Sequence, residues 1–230
     1  MSTQKKTSTL VQKAEQIRLV LEQHFPDPAI PLDHRNPFTF LVAVMMSASA
    51  NDKKVNQVTP TLFDLADTPE KMRQLSPQQI ESIIHDVGLA TSKANNIHKT
   101  AEILYSQHNS ILPNTFAALE ALPGVGHKTA SVIMSQVHNI PAFAVDTHIH
   151  RLAYRWGLSN GKSVQQTETD LKAVFSAEHW NKLHLQIIYF GRAFCPALRH
   201  DSTACPICSW AGVPSRLEEE KTRTAPWQNK

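Results

Sequence analysis

Glycine is scarce in this chain, at 7 residues in 230. Runs of alternating apolar and polar residues, the mark of half-buried strands, are absent, which argues against any sheet architecture. Cysteine is rarer still: Cys195, Cys205 and Cys208 stand in one short window near the C-terminus. An odd count so placed argues against a disulfide framework. No apolar run approaches the roughly 18 residues of a membrane span. The polar opening "MSTQKKTSTLVQKAEQ" lacks the apolar stretch of a signal peptide. A soluble, cytoplasmic protein with no membrane partner is the expectation. The net charge of +3 permits an anionic partner without requiring one.

What is present is helical periodicity. Hydrophobic residues make up 41% of the chain, enough for a sizeable core. Leu10, Ala14, Ile17 and Leu21 form one stripe; Phe38, Leu41, Val42 and Met45 form another; Val55, Leu62 and Leu65 mark a third helix more weakly. Several of the 14 prolines sit at helix starts. Thr68-Pro69 offers a cap and a first-turn proline, and Ser76-Pro77-Gln78-Gln79 adds a capping box. The pattern predicts an all-α protein of about ten short helices. Breaks fall at residues 26–37 and 139–150. The polar stretch 212–230 reads as a loose tail.

Between two predicted helices, 114–122 and 128–137, lies Pro123-Gly124-Val125-Gly126-His127. As a plain helical hairpin, its glycines would supply positive φ. As a ligand site, the same glycines admit a phosphate close to the backbone. The second helix then offers unpaired N–H groups and the positive end of its dipole. Val125 would anchor the turn. Lys128 falls in the first turn, where that dipole disfavours a cation, and a lysine attacks as a nucleophile only through its free amine. Asp146 follows in "VDTHIHRL", where an N-cap is the simpler reading.

The text "LPGVGHKTA…AVDTHIHRL" closely resembles the endonuclease III family of DNA glycosylases, within the helix-hairpin-helix superfamily. "FLVAVMMSASANDKKVN", "VGLATSKANNI" and "YFGRAFC" resemble further family segments in the same order, so the likeness covers roughly residues 20–210. It implies a two-part helical glycosylase fold with an active-site cleft between the parts. One part is residues 30–140, a barrel-like domain with the hairpin. The other is 1–29 plus 141–211, with the cysteine loop. The implied partner is damaged duplex DNA, bound by a monomer. The implied activity is base-excision repair: removal of an oxidised pyrimidine, then AP-lyase cleavage through a lysine Schiff base. Lys128 would be the nucleophile and Asp146 its acidic partner. Gly124, Val125, Gly126, His127 and Thr129 would hold the DNA backbone, with His148 and Arg192 near phosphates. Leu89 falls where the family inserts a wedge; a core or cap contact is the alternative. A monofunctional glycosylase or a catalytically weakened DNA-binding relative is the competing function.

Two departures stand out. Where the family has glutamine to fill the space left by the flipped base, this chain has Ser49. The family's C-x6-C-x2-C-x5-C set, which binds a [4Fe–4S] cluster, is here Cys195-x9-Cys205-x2-Cys208, with Pro214 at the fourth position. Three thiolates with His200 or Asp201 could hold a cluster. Zinc on three cysteines and one histidine, or no metal at all, are the alternatives.

Overall fold

The computed structural model describes residues 2–48 and 50–228, with side chains from residue 9 onward. Among the described residues there is no strand. The helices in chain order are α1 (Ser2–His24), α2 (Pro37–Ser47), α3 (Asp52–Leu65), α4 (Pro69–Met72), α5 (Pro77–Ile84), α6 (Ala90–His108) and α7 (Phe116–Glu120). They continue as α8 (His127–Gln136), α9 (Thr147–Arg155), α10 (Val164–Val174), α11 (Trp180–Ala193), α12 (Cys208–Ala211) and α13 (Pro214–Lys221). The chain forms two compact units: residues 30–140, and residues 1–29 with 141–230.

In the 30–140 unit, α2 is the central element. It was expected to carry an apolar stripe, but it is buried all round, from Phe38 through Met46. That fits its mostly apolar sequence, since a helix apolar on every side is covered on every side. Its start is tightly specified. Asn36 Oδ1 accepts from the Thr39 amide at 2.9 Å, Thr39 Oγ1 accepts from the Asn36 amide at 2.9 Å, and Pro37 takes the first turn. Helices α3, α6 and α8 pack around it. Helix α3 buries Val55, Val58, Thr59, Leu62 and Phe63, while Leu65, predicted for this face, is 56% exposed. The expected caps at Thr68 and Ser76 form, the latter as a full capping box.

In the other unit, α1 packs against α10 and α11, and α9 against α10, α11 and α13. Ala14, Ile17 and Leu21 meet Ile149, Leu152, Trp156, Leu183, Ile187 and Phe190 in one core. Glu22 ties α1 to α11, accepting from Lys182 Nζ at 2.7 Å and Gln186 Nε2 at 2.9 Å.

Residues 213–228, expected to be a loose tail, are folded. Helix α13 starts at Pro214, and the Val213 amide donates to the Arg155 carbonyl at 2.9 Å. Glu220 accepts from Arg155 Nε at 2.8 Å and lies 2.7 Å from its Nη2, both side chains being buried. Tyr154 donates its hydroxyl to Glu219, and Arg216 donates to the Tyr154 and Ser159 carbonyls at 2.8 and 2.6 Å. The segment is polar in sequence because its charges are partners for a buried arginine on another helix, and a local pattern does not reveal that.

Candidate functional site

The turn between α7 and α8 is held from within its own unit. Thr115 caps α7, and Val125 is buried as its anchor. Thr100 of α6 donates to the Pro123 carbonyl at 2.9 Å. Gly124 has φ +79°, and a Cβ there would lie 2.9 Å from Asn96 Cβ, so both conformation and space demand glycine. Gly126 differs from the plain-hairpin alternative, in which both glycines serve positive φ. Its φ is −91°, and an added Cβ would meet nothing within 4 Å. Among the described residues no steric contact demands a glycine there, although glycine suits an N-cap better than alanine. Gly126 is the N-cap of α8 and supplies no side-chain cap to it. His127 and Lys128 are exposed, and Thr129 is half-buried. His127 Nδ1 lies 2.8 Å from Glu120 Oε1, and its ring stacks on Phe116, bracing α7 against α8.

Leu89 is 69% exposed and left-handed at φ 63°, immediately before α6. A core contact is therefore excluded for it. A leucine held in this region costs roughly 1–2 kcal/mol, and one so exposed recovers little of it by burial. Lys93, which the sequence reading missed, is buried one turn later. Its ammonium donates to the Met46 carbonyl at 2.8 Å, near the C-terminal end of α2, and burial pushes it below the usual lysine range. Ser49 lies outside the described residues.

In the other unit, Asp146 caps α9: its Oδ1 accepts from the Ile149 amide at 2.8 Å. The cap points a half-buried carboxylate at the helix's positive end. His148, also half-buried, packs against Gly191 of α11, where a Cβ would come within 3.0 Å of its Nδ1. His150 is held by Thr167 Oγ1 at 2.8 Å. Arg192 is exposed near the end of α11. Lys128 and Leu89 thus belong to one unit, and Asp146, His148, Arg192 and the cysteines to the other.

Residues 42–177 match the model of the HhH-GPD superfamily of base excision DNA repair proteins. Endonuclease III of Escherichia coli strain K12 is 41% identical over 197 residues, covering 85% of this chain and 93% of that protein. Endonuclease III of Treponema pallidum is 43% identical over 180 residues, covering 78% and 85%. The chain belongs to the endonuclease III family. A solved endonuclease III trapped as a covalent intermediate with DNA superposes with a TM-score of 0.82 at 36% identity, covering 91% of this chain and 98% of that one. A non-covalent endonuclease III–DNA complex superposes equally well. A thermostable thymine-DNA glycosylase at 17% identity shares the fold, with a TM-score of 0.74.

Against that family background the cysteine loop is unusual. Cys195, His200, Cys205 and Cys208 bring one ligand atom each to within 4.8 Å of one another, a group that could hold a metal. The three thiols are buried and form no disulfide. Two arginines one turn apart on α9, Arg151 and Arg155, clamp the loop by donating to the Cys195 carbonyl at 3.0 and 3.1 Å. Arg155 Nη1 also reaches Cys195 Sγ at 3.0 Å. Burial pushes the Arg151 guanidinium down to about 10. These arginines were not picked out from the sequence. Their only signal was two cations at i and i+4 on the helix face that also carries His148. Pro214, at the position of the family's fourth cysteine, is the first residue of α13.

Proposed function

We propose that this endonuclease III family member removes oxidised pyrimidines from duplex DNA and cleaves the abasic site by β-elimination, acting as a monomer in the cytoplasm. The observation that carries this reading is Gly126. It is the N-cap of α8 with no side chain to cap it and open space where a Cβ would stand, one residue before an exposed histidine and two before Lys128. A phosphate drawn onto the α8 amides would need just such an unobstructed backbone, and would neutralise the helix end.

In this reading Gly124, Val125, Gly126, His127 and Thr129 hold the DNA backbone, and Lys128 attacks C1′ of the damaged nucleotide. The new C–N bond displaces the base as the N-glycosidic bond breaks, and the sugar ring then opens to an imine. Asp146 takes the lysine proton or offsets positive charge on the sugar. Removal of a C2′ proton expels the 3′ phosphate, and water releases Lys128 from the imine. The lesion must first leave the stack, at a few kcal/mol. Leu89 is the wedge that fills the gap, and the strain it carries supports a role outside the fold. His148 and Arg192 meet phosphates flanking the lesion. Ser49, being short, would leave space beside the extruded base and shift the lesion range. The cysteine loop holds a metal in a structural capacity and takes no part in these steps.

Borohydride trapping on duplex DNA containing thymine glycol tests this. The wild type should give a covalent adduct, and Lys128→Ala should give none while still binding the duplex. A folded wild type that binds abasic DNA yet neither traps nor nicks it would establish the non-cleaving alternative.

A further inference from the structure

We propose that Cys195, His200, Cys205 and Cys208 hold one tetrahedral metal ion, zinc by its chemistry, in place of a four-iron cluster. The inference stands on the geometry of the loop itself and does not depend on the proposed reaction.

Spacing comes first. Two sulfurs bonded to one zinc at ~2.3 Å and the tetrahedral angle stand ~3.8 Å apart, and a sulfur and an imidazole nitrogen ~3.6 Å. Here Cys195 Sγ lies 3.7 Å from Cys208 Sγ and 3.7 Å from His200 Nε2. A four-iron cube takes one protein ligand on each of four separate irons. Its ligands radiate from four corners and end further apart than two ligands of a single atom can reach, about 4.6 Å at 2.3 Å per bond. In this loop the two Cys195 distances fall inside that reach, and all four ligand atoms lie within 4.8 Å of one another, at most a little beyond it.

Ligand chemistry comes next. Three thiolates and one neutral imidazole make a common closed structural zinc set. The pair Cys205-x2-Cys208 folds as such pairs do, with the Cys208 amide donating to Cys205 Sγ at 3.4 Å. His200 enters from the lengthened loop, after a left-handed residue at Arg199. Its Nδ1 is buried with no hydrogen-bond partner. Nε2, 3.7 Å from Cys195 Sγ, is the nitrogen placed to ligate, and Nδ1 stays unpartnered with or without the ion.

Charge is balanced around the loaded site, equally for zinc and for a [4Fe–4S]2+ core on the same three thiolates. Three thiolates around a divalent ion leave one net negative charge. Arg155 donates to Cys195 Sγ while paired with Glu220, and Arg151 stands beside it on the Cys195 carbonyl. The two arginines, Glu220 and the loaded site together come to zero, which a buried cluster of charges requires. Glu220 belongs to α13, so the helix that starts at the absent fourth cysteine closes the site electrostatically instead.

The test is metal and acid-labile sulfide analysis of protein purified anaerobically from cells supplied with both iron and zinc. About one zinc per chain, no sulfide and no visible absorption are expected. Cobalt exchange should then give the intense visible bands of a tetrahedral ion with thiolate ligands. His200→Ala should weaken zinc binding, measured by chelator competition, beyond the ~10–100-fold that an outer partner costs. His200→Cys should retain the ion and shift the cobalt bands. Should His200→Ala fail to fold, the metal count and the two cobalt spectra decide alone. About four irons with matching sulfide per chain would overturn the proposal. So would folded, metal-free protein with three reactive thiols, or a cobalt spectrum unchanged in His200→Cys.

Discussion

The two hairpin glycines should respond to alanine in opposite ways. At Gly124, φ of +79° costs an alanine about 1–2 kcal/mol. Its methyl would also stand 2.9 Å from Asn96 Cβ, which is anchored to the α6 backbone and cannot rotate away. Relief requires helix or turn to move, at a further 1–3 kcal/mol or so. The expected loss for Gly124→Ala is therefore about 2–5 kcal/mol, with a melting shift of roughly 2–4 °C per kcal/mol for a chain of this size. Gly126→Ala meets nothing, at an ordinary φ of −91°. Alanine is a poorer N-cap than glycine by about 1 kcal/mol, and this is offset by about 0.4–1 kcal/mol from a less flexible unfolded chain. Its stability should barely change. Its methyl would nonetheless sit where a phosphate must approach, and affinity for a duplex with a stable abasic analogue should fall about tenfold, the worth of one charged hydrogen bond. Urea melts and fluorescence anisotropy on both variants measure the two halves. A Gly126→Ala protein that binds DNA as tightly as wild type would refute the argument, and so would one destabilised as much as Gly124→Ala.

Other consequences are as direct. Glu220→Ala leaves the buried Arg155 without its carboxylate and should cost about 3–5 kcal/mol in a urea melt, with Glu220→Gln costing less; a loss under about 1 kcal/mol would mean that 213–228 is the loose tail its sequence suggests. Leu89→Gly relieves left-handed strain, so stability should hold or rise by about 0.5–1 kcal/mol while base excision slows; unchanged excision would return Leu89 to a purely structural account. Burial, followed by Glu219, raises the Tyr154 hydroxyl to about 12. The unfolded phenol ionises first, so this contribution to stability is complete below about 10 and is lost as pH rises from there to about 12. Tyr154→Phe should flatten that alkaline loss in denaturant melts across the same range.

The all-helical class, the caps at Thr68 and Ser76, the break after α1 and the hairpin around Gly124 were legible because each is written in neighbouring residues. Helical period, proline and glycine placement, and caps act over one or two turns. The stripe Ala14, Ile17 and Leu21 is core for the same reason. The reading failed where the deciding partner is distant in sequence. Leu65 has the right period but faces solvent, and α2 is covered on every side because of what packs round it. That Gly124 must be glycine depends on Asn96, and that residues 213–228 fold depends on Arg155. His200 could be named as a candidate ligand from the loop's composition. Only the tertiary structure brings its nitrogen to 3.7 Å from Cys195 Sγ, because the distance between two ligands is set by how a loop closes. Residue type and local spacing determined which chemistry this chain can carry. Packing between distant segments decided which glycine is structural, which leucine is exposed and which four side chains meet.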